Sequence, residues 1–186
     1  MPVGTKRNEL WTESAEVHFL RTRRGSMAAA ERAFATYDTL TDPDTGGRAP
    51  EIWDLDLFIL QAPHDGIADQ LGGLGDWVAS VTVFGQVRDA LRIAERVDGD
   101  GAAFLVNIDV FGPLEQAVDV LLSLRRTNPM LTILVMSSEF VRDDTSLERS
   151  AIADTSLRLP CTPERLRDGL FCAAENTKLR QLGLAL

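Results

Sequence analysis

Residues 103–109 read Ala-Phe-Leu-Val-Asn-Ile-Asp, an apolar run that ends in a carboxylate. Four other short runs flank it at residues 55–60, 79–84, 131–136 and 156–159, the last being the weakest. Runs of this length with apolar residues at most positions are typical of strands that are covered on both faces, as in parallel sheets. The five runs therefore predict the strands of one buried sheet.

Helical patterns separate these runs. Residues 86–96 and residues 113–126 each carry an apolar stripe, which in the second includes Leu114, and Thr162 can cap a last helix that begins with Pro163. Between the fourth and fifth runs, residues 139–154 are poorly amphipathic and predict only a short or distorted helix. Alternating strands and helices with short connections predict an α/β fold with a doubly wound parallel sheet.

The first 50 residues differ from the rest of the chain. They hold seven basic and seven acidic side chains, so the whole net charge of -9 lies beyond them. Residues 26–40 read as a helix, residues 15–20 as a short strand, and residues 42–50 as a linker rich in Pro, Gly and Asp. We therefore divide the chain into a mostly helical N-terminal arm with its linker, residues 1–50, and one domain, residues 51–186.

Composition excludes several classes of protein. With 186 residues, 45% of them hydrophobic and 25% charged, the chain has ordinary globular usage. A net charge of -9 disfavours binding to nucleic acid or to an anionic membrane surface, because both depend on Lys and Arg. Two cysteines without a CxxC pair, and no apolar run of about 18 residues, predict free thiols and a cytoplasmic location.

Candidate functional residues lie where the predicted strands end, because ligands of open α/β sheets bind beyond the carboxyl ends of the strands. Gln61, Ala62 and Asp65 follow the first run, and Asp109 ends the third. Ser137 and Ser138 follow the fourth run, and Leu159-Pro160 closes the fifth.

These residues resemble the receiver domain of bacterial two-component response regulators over residues 55–180, about two thirds of the chain. The resemblance implies a flavodoxin-like, five-stranded sheet with strand order 2-1-3-4-5. It also implies that Asp109 is the phospho-acceptor position, that Ser137 and Leu159-Pro160 are switch positions, and that the bond before Pro160 is cis. Pro113, four residues after Asp109, matches the loop proline of the family.

Two departures from the receiver pattern predict an atypical receiver, or pseudo-receiver. Gln61 and Ala62 stand where the family has two acidic residues that bind Mg²⁺, and Leu159 stands where it has a lysine. Asp65 lies three residues beyond Ala62, the second position at which the family has an acidic metal ligand. Phosphoryl transfer concentrates negative charge that cations must offset, so ordinary Mg²⁺-dependent phosphorylation is not expected.

Three functions stay open from the sequence. The favoured hypothesis is a non-enzymatic signalling module that binds a protein partner, as a homodimer, without cofactor or metal. The second is a working receiver that is phosphorylated on Asp109 with Mg²⁺. The third is a module that binds a small molecule in the crevice of the sheet, since fold alone does not assign a function.

Overall fold

A computed structural model describes residues 18–20, 55–62, 67 and 78–183. Within these residues the chain forms one six-stranded sheet in the order β1-β3-β2-β4-β5-β6. The strands are β1 (His18–Leu20), β2 (Asp56–Leu60), β3 (Ser80–Phe84), β4 (Ala102–Asn107), β5 (Thr132–Ser137) and β6 (Thr155–Arg158). Strands β2 to β6 are all parallel, and β1 pairs antiparallel with β3 at one edge.

Three α-helices of the described residues connect or follow the strands. They are α1 (Val87–Ala94), α2 (Leu114–Thr127) and α3 (Pro163–Gln181). The predicted cap of the last helix is confirmed, because the Thr162 side chain accepts a hydrogen bond from the Arg165 amide and Pro163 occupies the first turn. Between β5 and β6 the described chain forms only a 3₁₀ turn at Leu147–Arg149, as the poor amphipathicity of residues 139–154 predicts.

The parallel strands bury apolar side chains on both faces of the sheet, as their continuous apolar runs require. On one face, α3 packs through residues such as Leu166 and Leu170 against alternate strand residues such as Leu105. On the other face, α1 and α2 pack through residues such as Ala90 and Leu121. Helices on both faces make the sheet doubly wound, as predicted.

The five parallel strands lie in the order β3-β2-β4-β5-β6. When they are numbered 1 to 5 along the chain from β2, this is the predicted order 2-1-3-4-5, which is confirmed. The predicted short strand at residues 15–20 is present as β1, which adds a sixth strand to the sheet. The helix predicted at residues 26–40 and the boundary near residue 50 lie outside the described residues. Leu114 was predicted to belong to the apolar stripe of α2, but it is 59% exposed, whereas Ala117 and Leu121 of the same predicted stripe are buried.

A buried ion cluster joins both helix layers at the amino ends of β5 and β6. The Asp154 side chain is 0% exposed and accepts hydrogen bonds from Arg125 of α2 at 2.8 Å and from Arg180 of α3 at 2.9 Å. One of its oxygens also accepts from the amide of Ile133 in β5 at 2.8 Å. A buried carboxylate with these partners is satisfied, so the cluster holds helices of opposite layers to one end of the sheet.

Candidate functional site

The candidate site lies where the adjacent strands β4 and β5 end. Asn107, the last residue of β4, is in register with Met136 of β5, and Ser137 ends β5 one residue later. Asp109 therefore follows the strand end by two residues and lies in a 3₁₀ turn, Ile108–Phe111. The Asn107 side chain holds this turn by accepting a hydrogen bond from the Asp109 amide at 3.0 Å.

Gly112 closes this turn at a φ of 80°, a left-handed conformation that side-chain-bearing residues rarely adopt. The chain then passes through Pro113 into α2. The turn thus places Asp109 at the edge of the sheet where α2 begins, and Asp109 is exposed there.

Three hydrogen-bond donors hold the Asp109 carboxylate. Ser137 Oγ donates to Asp109 Oδ1 at 2.5 Å. The amide and the hydroxyl of Ser138 both donate to Oδ2, at 2.9 Å and 2.8 Å. The Ser137 oxygen in turn accepts from the Glu139 amide at 3.0 Å. Both carboxylate oxygens are therefore engaged, and the turn after β4 is bonded to the first residues after β5.

The same contacts set the charge state of the carboxylate. Burial is the largest single influence and raises the pKa of Asp109, but the hydrogen bonds from Ser137 and Ser138 together lower it below its ordinary value. Hydrogen bonds donated to a carboxylate favour its ionised form. Asp109 is therefore an anion at neutral pH whose charge is balanced by hydroxyl and amide dipoles.

Gln61 and Ala62 lie directly after β2, next to the strand end that carries Asp109. The Gln61 amide donates to the Phe84 carbonyl at 3.1 Å, which continues the pairing of β2 with β3. Asp65 lies outside the described residues. Among the residues that the structure describes, no three His, Cys, Asp or Glu side chains form a group that could hold a metal.

A working receiver would be expected to bind a Mg²⁺ ion, but the residues described at this site do not fit that ion. Mg²⁺ prefers octahedral oxygen ligands that usually include one or two carboxylates. Here Ala62 supplies no side-chain oxygen, Gln61 supplies only a neutral amide oxygen, and serines donate to both oxygens of Asp109. The described site is a carboxylate bound by neutral donors.

The remaining two candidates, Leu159 and Pro160, follow β6. Leu159 is partly buried and packs against the core on the α3 face of the sheet, and its amide donates to the Ser137 carbonyl at 2.9 Å. The Leu159-Pro160 peptide bond is cis, as the resemblance implies. The position of the family's lysine is therefore occupied by an apolar side chain that contributes to the core.

A second polar network, not predicted from the sequence, borders this site. The guanidinium of Arg165, in the first turn of α3, donates to both oxygens of Asp143 and to the carbonyls of Arg158 and Pro160. The Arg158 amide donates to Asp143 Oδ1 at 2.7 Å. Burial raises the pKa of Asp143, but these hydrogen bonds and the charge of Arg165 lower it below its ordinary value.

Sequence reasoning thus missed two residues that contribute to this region, Asp143 and Arg165, and gave too little weight to a third, Ser138. Ser138 follows the fourth run beside Ser137, but the resemblance gives a role to Ser137 alone, although the repeated serine was a visible signal of donors at a strand end. No pattern marks Asp143 or Arg165, which lie far apart in the sequence and meet only because β6 and α3 bring them together.

Comparisons with solved structures identify the fold. The chain is similar to a response regulator receiver domain protein (CheY-like) from Methanospirillum hungatei JF-1, with 15% identity and a TM-score of 0.52 over 68% of this chain and 98% of that one. It is also similar to a response regulator protein from Burkholderia pseudomallei, described with a phosphorylated aspartic acid, a calcium ion and citrate. That match has 16% identity and a TM-score of 0.50 over 69% of this chain and 73% of that one.

No protein-family model and no curated protein matches the sequence. At these identities the structural likeness defines the fold alone, which is receiver-like. None of the helices among the described residues is long and apolar enough to cross a membrane.

Proposed function

We propose that this protein is a signalling module of the receiver-like fold that acts by binding a protein partner, without Mg²⁺-dependent phosphorylation of Asp109. The observation that carries the proposal is the state of the Asp109 carboxylate, whose two oxygens accept three hydrogen bonds from Ser137 and Ser138. Donors on both oxygens stabilise the carboxylate anion and so weaken it as a nucleophile toward a phosphodonor.

Charge supports the same proposal. Phosphoryl transfer requires cations that offset the charge of the transferred group. The positions that would supply them hold Gln61, Ala62 and Leu159, and Leu159 packs into the core. Serine donors can stabilise one carboxylate charge, but they offer no positive charge for a phosphoryl group. In this proposal the module is a homodimer in the cytoplasm, and it signals through the surface that it presents to a partner.

Phosphodonor labelling of the full chain tests the proposal. The chain is incubated with acetyl phosphate and Mg²⁺, and intact mass is measured before and after hydroxylamine treatment. We expect no labile phosphoryl group on the natural sequence. A combined variant with Gln61→Asp, Ala62→Asp and Leu159→Lys restores the missing charges and serves as the matched control, which we expect to be labelled on Asp109.

A labile mass gain on the natural chain that Asp109→Ala abolishes would overturn the proposal. It would favour the second function, a working phospho-acceptor. The observation in favour of that function is that Asp109 is an exposed residue at the carboxyl edge of the sheet, beside Ser137.

A further inference from the structure

The β3 edge of the sheet is covered by a strand from the N-terminal arm. β1 pairs with β3 in antiparallel orientation, with Phe19 opposite Thr82 at the centre of the contact. β1 has three residues and β3 has five, so Ser80 and Phe84, at the two ends of β3, lie beyond the pairing with β1. Residues 21–55 separate β1 from β2, the strand on the other side of β3. β1 is therefore a short cover that reaches its edge from a distant part of the sequence.

β3 itself lacks residues that commonly keep the edge of a sheet from pairing with another chain. Natural edge strands use charged side chains, prolines or short length for this purpose. Residues 80–84 read Ser-Val-Thr-Val-Phe, with no charge and no proline, and their β-branched residues favour strand pairing. The opposite edge differs, because Asp144 exchanges two backbone hydrogen bonds of 2.8 Å with Ser156 of β6, and Arg158 ends that strand with a charge. At the β3 edge, protection from another chain depends on β1.

The sequence of β3 is complementary to a second copy of itself. When two β3 strands are aligned antiparallel about Thr82, Val81 of each copy lies opposite Val83 of the other. Both valines belong to the core on the α3 face, so the apolar faces of the two sheets continue across the contact. Threonines opposite each other, as at Thr82, are a favourable cross-strand pair. The contact uses the same residues of both copies, as in the usual two-fold homodimer, and it pairs all five residues of β3 where β1 pairs three.

β1 and a second copy compete for the same edge. Both contacts centre on Thr82 and use the same side of β3, so they exclude each other. β1 belongs to the same chain and pairs without the loss of translational freedom that the association of two molecules costs. Its pairing is therefore favoured at low protein concentration, and the longer contact between two β3 strands is favoured when β1 is displaced.

We propose that β1 is an autoinhibitory strand, which occupies the edge through which two copies of this chain pair β3 to β3 about a two-fold axis at Thr82. Release of β1 then exposes the edge and permits the dimer. The inference rests on the proposed function, because it names the interface of the homodimer proposed there and the contact that regulates its formation.

Sedimentation of the full chain over a range of concentrations tests the competition. Phe19→Pro and Leu20→Pro are introduced together, because adjacent residues of a strand direct their amides to opposite sides, so one of the two prolines removes a bond to β3. The apparent dissociation constant of the dimer should fall by about tenfold or more, since an occupied edge reduces the apparent affinity by the fraction of chains whose edge is free. An added peptide with the sequence of residues 15–23 should restore the monomer, and the same peptide with both prolines should not.

Cysteine cross-linking tests the register. Residues opposite each other in antiparallel strands lie about 4.5–5.5 Å apart at Cα, within the range of a disulfide. Thr82→Cys in the double proline variant should therefore give a disulfide-linked dimer on oxidation with diamide, and the same change beside an intact β1 should give about tenfold less. Thr132→Cys is the matched control, because Thr132 is also a buried strand threonine but lies in β5, between β4 and β6. It should give no more cross-linked dimer than the natural chain, whose Cys161 and Cys172 are free thiols.

Three results would overturn the inference. The first is a double proline variant that stays monomeric at every concentration while its thermal unfolding matches the natural chain, and the second is a dimer that Thr82→Cys does not cross-link. The third is a natural dimer that the prolines abolish, which would show that β1 pairs with β3 of a second copy.

If the prolines unfold the chain, Thr82→Cys with the natural β1 decides alone. Its cross-linking should accelerate with protein concentration and slow with excess β1 peptide, and no cross-linking would contradict the inference. These assays use no phosphodonor, so their failure leaves the proposal on Asp109 standing, and labelling of Asp109 would overturn that proposal without changing the dimer results.

Discussion

The hydroxyl of Ser137, at the end of β5, donates a hydrogen bond of 2.5 Å to the carboxylate of Asp109 in the turn after β4. Ser138 adds two bonds to the other oxygen of the same carboxylate. Asp109 therefore stabilises the connection between two neighbouring strand ends. Its structural role follows from these contacts, whether or not a phosphoryl group ever reaches it.

The pKa of Asp109 should rise when its donors are removed. Ser138→Ala deletes the hydroxyl bond to Oδ2, and Ser137→Ala deletes the bond to Oδ1, while both bonds favour the ionised carboxylate. Carboxyl chemical shifts followed by NMR over a pH titration measure the change. The control is Ser146→Ala, whose hydroxyl bonds Asp144 and lowers the pKa of that residue. It should raise the pKa of Asp144 and leave that of Asp109 unchanged.

Stability should depend on pH through Asp143. Its pKa is depressed in the folded chain by Arg165, so the stabilisation is present above the unfolded value of about 3.9 and is lost as the pH falls through the lower folded value. Asp143→Asn should therefore lower the free energy of unfolding near neutral pH and reduce its decline on acidification. Urea unfolding across that pH range measures both quantities.

The partner of Asp143 supplies the check on that prediction. Arg165→Gln removes the same ion pair but keeps the hydrogen bond from the Arg158 amide, so it should flatten the acidic decline less than Asp143→Asn, and the double variant should add little to Asp143→Asn. An undiminished acidic decline in Asp143→Asn would contradict the assignment.

Removing Asp154 should destabilise the fold strongly. Asp154→Ala leaves the buried side chain of Arg125 and the partly exposed side chain of Arg180 without their carboxylate, and breaking such a buried pair costs about 3–5 kcal/mol. The exposed pair of Asp168 with Arg167 offers the control, because Asp168→Ala should change stability by less than about 1 kcal/mol. Chemical unfolding of both variants measures the difference. Equal losses would show that the cluster does not contribute as described.

The contact between α3 and β6 is close at a glycine. A Cβ at Gly169 would lie 2.7 Å from Cδ1 of Leu157, a buried residue of β6. Gly169→Ala should therefore reduce the free energy of unfolding by about 1–3 kcal/mol, because overpacking forces neighbouring atoms to shift. Gly85→Ala, where a Cβ would meet nothing within 4 Å, is the matched control. The cost of Gly169→Ala should shrink in a Leu157→Ala background, and an unchanged cost would point to a different cause.

The fold could be predicted because its signals are local. Residues 103–108 are apolar except for Asn107, and the strand β4 that they predict is buried at every position. The Thr162-Pro163 cap marks the start of α3 at the observed residue. The exposure of Leu114 was not predictable in the same way, since helical spacing places a residue on a face but does not determine what covers that face.

The candidate site was predicted only in part. Parallel strands end at a common edge, so the grouping of Asp109 with Ser137 follows from the strand order. The contribution of Ser138 depends on a backbone amide as well as a hydroxyl, and the direction of an amide is not encoded in a residue type. The pairing of Asp143 with Arg165 spans 22 positions of the sequence and required the geometry of β6 and α3.

The sequence by itself determined the parallel sheet, its strands and helices, and which residues stand at the strand ends, because periodicity and capping act over a few neighbouring residues. It also shows that Gln61, Ala62 and Leu159, which stand at three of the candidate positions, carry no charge. Only the tertiary structure decided what Asp109 contacts. Hydrogen bonds depend on distances of about 3 Å and on direction, and only the packed strand ends bring Ser137 and Ser138 to that carboxylate.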